Sequence, residues 1–575
     1  MPPHTSSLSP TRSSLAWLNM ERLAYMLLTL LPALVRIMHL GARTLTPAEA
    51  RTATRAWQQA QGLHPVLDAG NPLLFSLQTL SFWVAGGSDA LVRVWPLLAT
   101  AALPLTLYLM RHWLGRWPAL IAATLLTLSP LVNAFARRGD ATNFALLAAG
   151  LALAGWARWQ DERSHGIPLM LTSAVLALLS GPAGFSVLLA LSLFLILAHP
   201  AAPAQRFRLT AANITPALIL LLTGGTYLFI RADALGLVAV TLTQWLHAFS
   251  LAPKHLLFGF IRMAADEPVL SLFGLMAVIT GIQQKANHDH RALSAAAALA
   301  TLIAILHGPD AANSRAVAAF FLALPTASFL HHRARSHDFT LRSLEQPLLT
   351  AILIMLSFLV VYALTAFAHS SDGKFILLAL ITALMGLSII GVFIWFIGWP
   401  EIRGALLSTG LILTLLFGSG MLWALAFNST LPTLARITPT ESLPGVPELI
   451  RTIGDISQHN TGDRHTLAIQ LIPGTGADDV IQWYLRDAAQ FSIDPNFSQP
   501  EPAPIILAPA QSDLNLTRYA GETIALSTHW GLNDLHSAQA FISWFFTRHA
   551  PFPPPTVDSI ELWVQGDMLS LSQQP

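Results

Sequence analysis

The sequence predicts a polytopic α-helical membrane protein with about thirteen transmembrane helices, followed by a C-terminal α/β domain. Two observations support this prediction. First, 53% of the 575 residues are hydrophobic and only 11% are charged, whereas about a quarter of an average soluble domain is charged. Second, apolar runs of transmembrane length recur up to residue 427, and the chain then becomes rich in Pro, Asp, Gln and Asn.

Composition also excludes several classes of protein. The chain has no cysteine, which rules out disulfides and thiolate metal sites. Its net charge of +1 gives no electrostatic basis for binding nucleic acid. No small-residue cleavage site directly follows the N-terminal segment, so the first apolar run is expected to be a retained span after a cytoplasmic segment, residues 1–21.

The predicted spans lie between residues 22 and 427, which we take as the membrane domain. A span needs about 20 apolar residues, and Gly181-Pro182 divides one long apolar run into two spans. The predicted spans are 22–40, 90–110, 118–135, 143–158, 167–181, 183–199, 216–231, 267–284, 292–308, 314–332, 347–368, 374–398 and 403–427.

The distribution of Lys and Arg sets the predicted orientation. These residues are more frequent in the N-terminal segment and in the short loops of one side, which therefore faces the cytoplasm. Loops 41–89, 135–142 and 231–266 then lie outside. The apolar segment 72–86 is too short to cross, and we expect it to lie flat in the outer interface.

An odd number of spans places the tail, residues 428–575, outside the membrane. Helical periodicity occurs at 446–458, 477–489 and 538–548. Short β-rich runs occur at 466–472, 505–507, 523–527 and 559–564. This alternation predicts an independent extracytoplasmic α/β domain.

Two outer loops carry candidate catalytic carboxylates. Glu49 stands three residues after Thr46 and two after Pro47, so a helix-capping box explains it as well as catalysis does. Asp140 follows Arg137 and Arg138. These three residues form either a solvated turn or a site in which the arginines bind a lipid phosphate and Asp140 contacts an acceptor or a metal.

Other polar groups are less specific. In loop 231–266, Lys254, His255 and Arg262 occur among aromatic residues, a pattern typical of interfacial anchoring or of a site for a lipid head group. Arg36, near the outer end of the first span, is expected to extend to the interface. The motifs His288-Asp289-His290 and His331-His332 are interpreted as solvated cytoplasmic loops. The sequence contains no Walker A, HExxH or dinucleotide-binding motif.

The order of the short motifs resembles that of the GT-C membrane glycosyltransferases, the superfamily of protein O-mannosyltransferases and aminoarabinose transferases. Within it, the chain is most similar to prokaryotic proteins described as flippase activity-associated. The likeness is strong over about residues 30–160, fair in the tail and only hydropathic between. The residues that carry it are Ala48-Glu49-Ala50-Arg51, Gly70-Asn71-Pro72-Leu73-Leu74, Gly86-Gly87-Ser88-Asp89, Arg93, Leu128-Ser129-Pro130, Arg137-Arg138-Gly139-Asp140 and Gln482-Trp483-Tyr484-Leu485-Arg486.

This resemblance implies a polyprenyl-phosphate sugar donor in a prokaryotic plasma membrane and a protein, lipid or glycan acceptor outside it. The family's first-loop Asp corresponds to Ala48, a departure, because a methyl group can neither accept a proton nor bind a metal. Glu49 and Asp140 match the remaining acids and are the predicted catalytic residues. The resemblance implies no particular cofactor, and a divalent metal is left open. The predicted substrate-binding residues are Arg51, His64, Arg137, Arg138, Lys254, His255 and Arg262.

Three functions remain open at this point. The first is an inverting glycosyltransferase in which a carboxylate deprotonates the acceptor and arginines stabilise the departing phosphate. The second is a non-catalytic relative that binds lipid-linked sugars or assists their flipping or assembly, which Ala48 favours. The third is a transporter, although the predicted spans have almost no ionisable residues at their centres and no inverted repeat is evident.

Overall fold

The computed structural model of the protein describes residues 19–38, 40–66, 70–161, 165–198, 210–283, 288–335, 345–427, 440–442, 445–495, 497, 503–510, 512, 516–529, 535, 537–547 and 556–570. Most of the predicted N-terminal segment 1–21 and the predicted start of the tail at 428 lie outside these residues.

Described residues up to 427 form helices joined by short loops. A 3₁₀ turn, Ala232–Leu235, precedes the twelfth helix. The helices are α1 (Met20–Ile37), α2 (Pro47–Ala60), α3 (Pro72–Ala85), α4 (Asp89–Leu109), α5 (Arg111–Leu114), α6 (Arg116–Leu128), α7 (Pro130–Ala136), α8 (Thr142–Gln160), α9 (Gly166–Leu178), α10 (Pro182–Leu197), α11 (Ala211–Gly225), α12 (Gly236–His247), α13 (Pro253–Asp266), α14 (Pro268–Gln283), α15 (His288–Leu306), α16 (Ala312–Arg335), α17 (Glu345–Ser370), α18 (Gly373–Phe396) and α19 (Trp399–Phe427).

Each predicted span coincides with a helix or a bent pair of helices, which confirms a polytopic helical membrane protein. By length and composition, five helices in the described ranges can cross a membrane alone, or seven spans if each of two bent pairs counts as one. Helices α3, α9, α10 and α11 are apolar but shorter. The count of about thirteen crossings, the orientation and the interfacial position of 72–86 stay predictions.

The two bent pairs are joined at their breaks. Helices α6 and α7 meet at 60° before Pro130, and α13 and α14 meet at 108° before Pro268. Proline supplies no backbone N–H and disfavours helical geometry in the residue before it. The Glu267 carboxylate accepts hydrogen bonds from the Ser129 hydroxyl and, at 3.0 Å, from the Leu131 backbone N–H. One side chain therefore stabilises both breaks.

Buried charges in the membrane domain are held by polar partners. The carbonyl of Thr127 accepts hydrogen bonds from Arg36 Nη2 at 3.2 Å and from Asn133 Nδ2 at 2.9 Å. Arg36 Nε also donates to Asn133 Oδ1 at 2.8 Å. Arg36 is only 2% exposed, so the prediction that it extends to the interface was wrong. Arg315, in the first turn of α16 and at the edge of predicted span 314–332, is fully buried.

The tail is an α/β domain with a mixed six-stranded sheet. Strand β2 pairs in parallel with β3 and β4, and the other pairs are antiparallel, in the order β1-β5-β6-β4-β2-β3. Each predicted helix and β-rich run of the tail overlaps an observed element, but the predicted helix 477–489 ends at Tyr484. The elements are β1 (Thr440–Ser442), α20 (Gly445–Thr461), β2 (Ile469–Leu471), α21 (Asp478–Tyr484), β3 (Phe491–Ile493), β4 (Ile505–Pro509), β5 (Tyr519–His529), α22 (Ala538–Thr547), β6 (Thr556–Gln565) and α23 (Gly566–Ser570).

The hydrophobic core of the tail continues into the membrane domain. Leu45, Ala53 and Phe82 of loop 41–89 belong to the same buried cluster as Trp483 of α21 and Leu449 of α20. Trp483 is fully buried and packs against Phe82 with 5.5 Å between ring centroids. An isolated tail would expose this surface to water. The shared core therefore argues against independent folding of the tail, a prediction that stays untested.

Candidate functional site

Glu49 forms the capping box that its spacing predicts. It is the third residue of α2, where its backbone N–H donates to Thr46 Oγ1 at 3.3 Å. Its own carboxylate accepts from the Thr46 backbone N–H at 2.8 Å. The cap leaves Glu49 only 3% exposed, with its side chain directed away from solvent.

Arg93 neutralises Glu49 inside the protein. Its Nε lies 2.9 Å from Glu49 Oε1 and its Nη2 lies 3.2 Å from Oε2, which is a two-pronged ion pair. The remaining N–H groups of Arg93 donate to the carbonyls of Leu40, Arg43 and Thr44 at 3.0–3.1 Å. Arg93, on the first turns of α4, therefore fixes the backbone that leads into α2.

Glu49 also holds the second loop. The backbone N–H of Gly139 donates to Glu49 Oε1 at 2.7 Å. Burial opposes ionisation, but the charge of Arg93 and the hydrogen bonds from Arg93, Thr46 and Gly139 lower the pKa of Glu49 to about 2. Glu49 is thus ionised, with both oxygens engaged.

The close contact of the second loop with Glu49 and α4 requires a glycine at position 139. A Cβ at this position would lie 2.6 Å from Val92 Cγ1 and 3.3 Å from the Val92 carbonyl. The second loop therefore packs directly against α4, within reach of Glu49. The sequence prediction that loops 41–89 and 135–142 meet is consistent with these contacts.

Asp140 differs from Glu49 in its environment. Its Oδ1 accepts hydrogen bonds from the Thr142 backbone N–H at 2.7 Å and from the Thr142 hydroxyl. Within the described residues no hydrogen bond reaches Oδ2. Burial raises the pKa of Asp140 above its ordinary value, partly opposed by the Thr142 hydrogen bonds and Arg138, while the Glu49 charge adds to the rise. Asp140 is therefore the better proton acceptor of the two acids.

Positive charge gathers beside Asp140. Burial, followed by the neighbouring charges of Arg43 and Arg93, lowers the pKa of Arg137 to about 10. Arg138 is close enough to act electrostatically on Asp140. Arg43, Arg93 and Arg137 thus lie close together, with Arg138 near Asp140 and Arg93 paired with Glu49.

The tail docks on the same region. Asp89 starts α4, one turn before Arg93, and accepts hydrogen bonds from Trp483 Nε1 at 2.8 Å and from the Tyr484 hydroxyl at 2.7 Å. Arg486 Nη2 donates to the Gly87 carbonyl at 2.9 Å. The tail motif and the Gly86–Asp89 motif, both singled out in the sequence, are thus in direct contact.

The structure places the other predicted substrate-binding residues elsewhere. Arg51 pairs with Asp479 of the tail at 2.8 Å. Arg262 is 5% exposed and lies 3.3 Å from Asp266. His64 and Lys254 are exposed, while the partly buried His255 packs against Gly308. None of these contacts joins them to Asp140 in the described residues, and their substrate-binding roles stay predictions. Arg137 and Arg138 do lie beside Asp140.

The two histidine motifs meet at the other end of the membrane domain. They line a cavity of about 720 Å³ together with Trp113 and Arg333. Asp289, on the first turn of α15, accepts from Trp113 Nε1 at 2.8 Å and from Gln160 Nε2 at 3.2 Å. Arg93 is the fifth residue of α4 and Leu109 its last, so the end of α4 nearest the cavity lies about 24 Å from Arg93. These motifs therefore form one cluster at the start of α15 and the end of α16 rather than separate solvated loops.

Sequence reasoning did not assign three residues that organise the site. Arg93 and Asp89 were noted only as motif residues, and Gly139 only as the glycine between Arg138 and Asp140. The available signal for Arg93 was its place in an apolar helix, one turn after the Asp that starts it. An ionised group at such a position needs a partner. In the described ranges, no three His, Asp or Glu side chains converge as a metal site would require.

Comparisons with known proteins were made for sequence and structure. No protein family matches the chain, and no curated protein matches it significantly. The apo structure of ArnT, the aminoarabinose transferase from Cupriavidus metallidurans, aligns over 95% of this chain and 98% of its own, with a TM-score of 0.52 and 10% identity. The structure of ArnT bound to undecaprenyl phosphate aligns over 87% of this chain and 94% of its own, with a TM-score of 0.49 and 12% identity.

A more distant similarity is to the oligosaccharyltransferase of Archaeoglobus fulgidus. The structure tethered with an acceptor peptide aligns over 83% of this chain and 64% of its own, with a TM-score of 0.45 and 12% identity. Of these comparisons, the apo ArnT overlay establishes a shared fold along nearly the whole of both chains.

Proposed function

Because the chain has the GT-C fold of membrane glycosyltransferases, we propose that it transfers a sugar from a polyprenyl-phosphate donor to a hydroxyl group of a protein, lipid or glycan acceptor. The reaction takes place on the extracytoplasmic face of a prokaryotic plasma membrane. The donor class rests on the resemblance of the first-loop motifs. The observation that carries the proposal is the partly buried Asp140, with one oxygen unused by described residues, beside Arg137 and Arg138.

Asp140 acts as the general base. Its Oδ2 takes the proton of the acceptor hydroxyl while the hydroxyl oxygen forms a bond to the anomeric carbon. The bond between that carbon and the phosphate oxygen breaks, and the lipid phosphate leaves with the electron pair. This single displacement inverts the anomeric centre. The raised pKa of Asp140 suits the role, because a base works best when its pKa approaches the working pH.

Arg137 and Arg138 bind the donor phosphate. Negative charge on the phosphate increases as the sugar departs, and a fixed guanidinium stabilises that charge without reorganising. Arginine suits the task because its planar group binds two oxygens at once. Arg43, which lowers the pKa of Arg137, adds positive charge from the first loop.

Glu49 is a positioning residue rather than the base. Its two oxygens already accept hydrogen bonds from Thr46, Arg93 and Gly139, and its pKa is about 2. A carboxylate with so low a pKa is a weak base near neutral pH. The absence of a carboxylate at position 48 therefore leaves Asp140 as the acid–base group of the site.

The test compares Asp140→Asn with Asp455→Asn, which removes an exposed tail carboxylate paired with Arg464. Each protein is reconstituted with undecaprenyl-phosphate donors carrying a labelled hexose or pentose, and released lipid phosphate is measured. Loss of a positioned base lowers the rate by about 10²–10⁴-fold. We expect this loss for Asp140→Asn only, with donor binding retained.

One observation favours the second function, a non-catalytic protein that binds lipid-linked sugars. Ala48 is exposed on the first turn of α2, where the resemblance predicts a catalytic Asp. Under that alternative, the wild-type protein binds the same donors without releasing lipid phosphate. Turnover by wild type that survives in Asp140→Asn would instead contradict the role of Asp140.

A further inference from the structure

A continuous set of contacts leads from the tail to the candidate base. The Tyr484 hydroxyl donates to Asp89 at 2.7 Å and accepts from the Leu45 backbone N–H at 3.1 Å. Tyr484 is thereby bound to α4 and to the residue before the N-cap of α2. Burial, with the Asp89 carboxylate beside it, raises the pKa of Tyr484 above its ordinary value, so the hydroxyl stays protonated.

The next contacts run through Arg93 and Glu49. Arg93 binds the carbonyls of Arg43 and Thr44, which directly precede Leu45. It also forms the buried ion pair with Glu49, and Glu49 binds the Gly139 N–H. Asp140 is the following residue. Through Leu45, each step from Tyr484 to Asp140 is a direct hydrogen bond or a chain neighbour, and Asp89 lies one helical turn from Arg93 on α4.

The tail side of the relay is closely packed. Trp483 is fully buried and donates to the other oxygen of Asp89. The Arg486 guanidinium lies 4.1 Å from the centre of the Trp483 ring, and a Cβ on Gly87 would lie 3.1 Å from Arg486 Nε. This surface has little room for sliding, so displacement of the tail would be transmitted to Asp89 and Leu45.

We propose that the tail positions Asp140 for catalysis through a relay of contacts. The relay starts at Tyr484 and passes through Leu45 and Asp89 to the Arg93–Glu49 pair. It ends at Gly139, the residue before Asp140. The inference rests on the proposed function for its catalytic consequence, but the mechanical coupling can be measured without turnover. The tail is thus a functional part of the transferase site, although its relay residues act through others and do not touch the reacting atoms.

The experiment uses the absence of cysteine from the chain. Ala141, next to Asp140, is fully buried, so Ala141→Cys gives one reporter thiol against no background. Its labelling rate with a maleimide is measured in the full-length protein, with and without Tyr484→Phe. Loss of the hydroxyl removes two hydrogen bonds, and we expect labelling to accelerate about five- to tenfold.

Tyr519→Phe is the matched control. The Tyr519 hydroxyl also makes a hydrogen bond within the tail, donating to Ala503 at 3.1 Å, but it has no part in the relay. Labelling at position 141 should not change in this variant. Equal labelling rates in the Tyr484→Phe and Tyr519→Phe backgrounds would overturn the coupling.

Turnover then separates this inference from the proposed function. With Ala141 retained, Tyr484→Phe should lower kcat about tenfold and leave the donor KM unchanged. A faster reporter with unchanged kcat would overturn the catalytic positioning role. A faster reporter in a protein whose wild type releases no lipid phosphate would leave the coupling intact and contradict the proposed function.

Discussion

Glu49 and Gly139, 90 residues apart in sequence, are joined by a 2.7 Å hydrogen bond. The bond makes the cap of α2 and the backbone before Asp140 parts of one structure. It also explains why a carboxylate is needed at position 49 even if it takes no proton from the substrate.

Glu49→Gln should destabilise the protein. Glutamine preserves the capping box, but it leaves the buried Arg93 without its counter-charge, and removing one partner of a buried pair costs about 3–5 kcal/mol. We expect a lower midpoint of thermal unfolding in detergent. Glu448→Gln, which removes an exposed carboxylate 3.4 Å from Arg451, is the control and should unfold as wild type does.

The same pair gives a pH dependence of stability. The pKa of Glu49 is lowered from 4.5 to about 2 on folding, so its ionisation stabilises the protein above about pH 4.5. This contribution decreases as the pH falls from about 4.5 towards 2. The wild type should therefore lose its advantage over Glu49→Gln in that range, and a constant difference in unfolding midpoint would contradict the assignment.

Gly139→Ala should impair transfer without affecting the tail. The added Cβ would lie 2.6 Å from Val92 Cγ1, and the loop must move away from α4. That movement weakens the bond to Glu49 and misplaces Asp140, where an error of about 1 Å can cost about 10²-fold in rate. Gly236→Ala is the control, because nothing lies within 4 Å of its new Cβ. Equal kcat in both variants would contradict the prediction.

The first-loop helix was accessible from sequence because its cause is local, and the Thr46-Pro47-x-Glu49 spacing predicts its cap. The bend before Pro130 was not predicted, since residues 118–135 were expected to form one span. The tail elements with clear periodicity were also predictable. Strands β1 and β3 were not predicted, although they are as long as β2.

The site itself depends on contacts that sequence spacing does not encode. The partner of Glu49 on α4 is 44 residues away, and Trp483 is 394 residues from Asp89. The motifs indicated which residues to consider, but only the fold shows that Glu49 is saturated and Asp140 is not. Arg36 illustrates the same limit, since its partners Thr127 and Asn133 lie 91 and 97 residues away in the chain.

Arg137→Gln should weaken donor binding. Removing the guanidinium eliminates a charge-assisted contact to phosphate, worth about 1.5–3 kcal/mol, or roughly 10–100-fold in affinity. Binding of undecaprenyl phosphate to the detergent-solubilised protein measures this directly. Arg451→Gln, an exposed arginine on α20, should bind as wild type does. Undiminished binding by Arg137→Gln would remove Arg137 from the phosphate site.

The outer loop and the tail should face the same side of the membrane. Arg486 binds the Gly87 carbonyl and Trp483 binds Asp89, so the two segments cannot lie on opposite sides. Reporter fusions truncated at Gly87 and Ser442 should both report the extracytoplasmic side, and a fusion at Gly115 the cytoplasm. A cytoplasmic signal at Ser442 would contradict the predicted odd number of spans.

The pH dependence of transfer should follow Asp140. A general base works when deprotonated, so kcat/KM should rise with pH through the pKa of Asp140 and then level off. Thr142→Val removes the hydroxyl that donates to Asp140 Oδ1, while the backbone N–H of residue 142 remains. Losing that donor disfavours the ionised carboxylate and raises its pKa further. The acidic limb of the kcat/KM profile, measured between about pH 4 and pH 8, should therefore shift to higher pH.

Thr241→Val is the control for this shift. It removes a buried hydroxyl that donates to the Leu237 carbonyl and should leave the acidic limb in place. An acidic limb that is unmoved or shifted to lower pH in Thr142→Val would show that Asp140 is not the group whose deprotonation limits the rate.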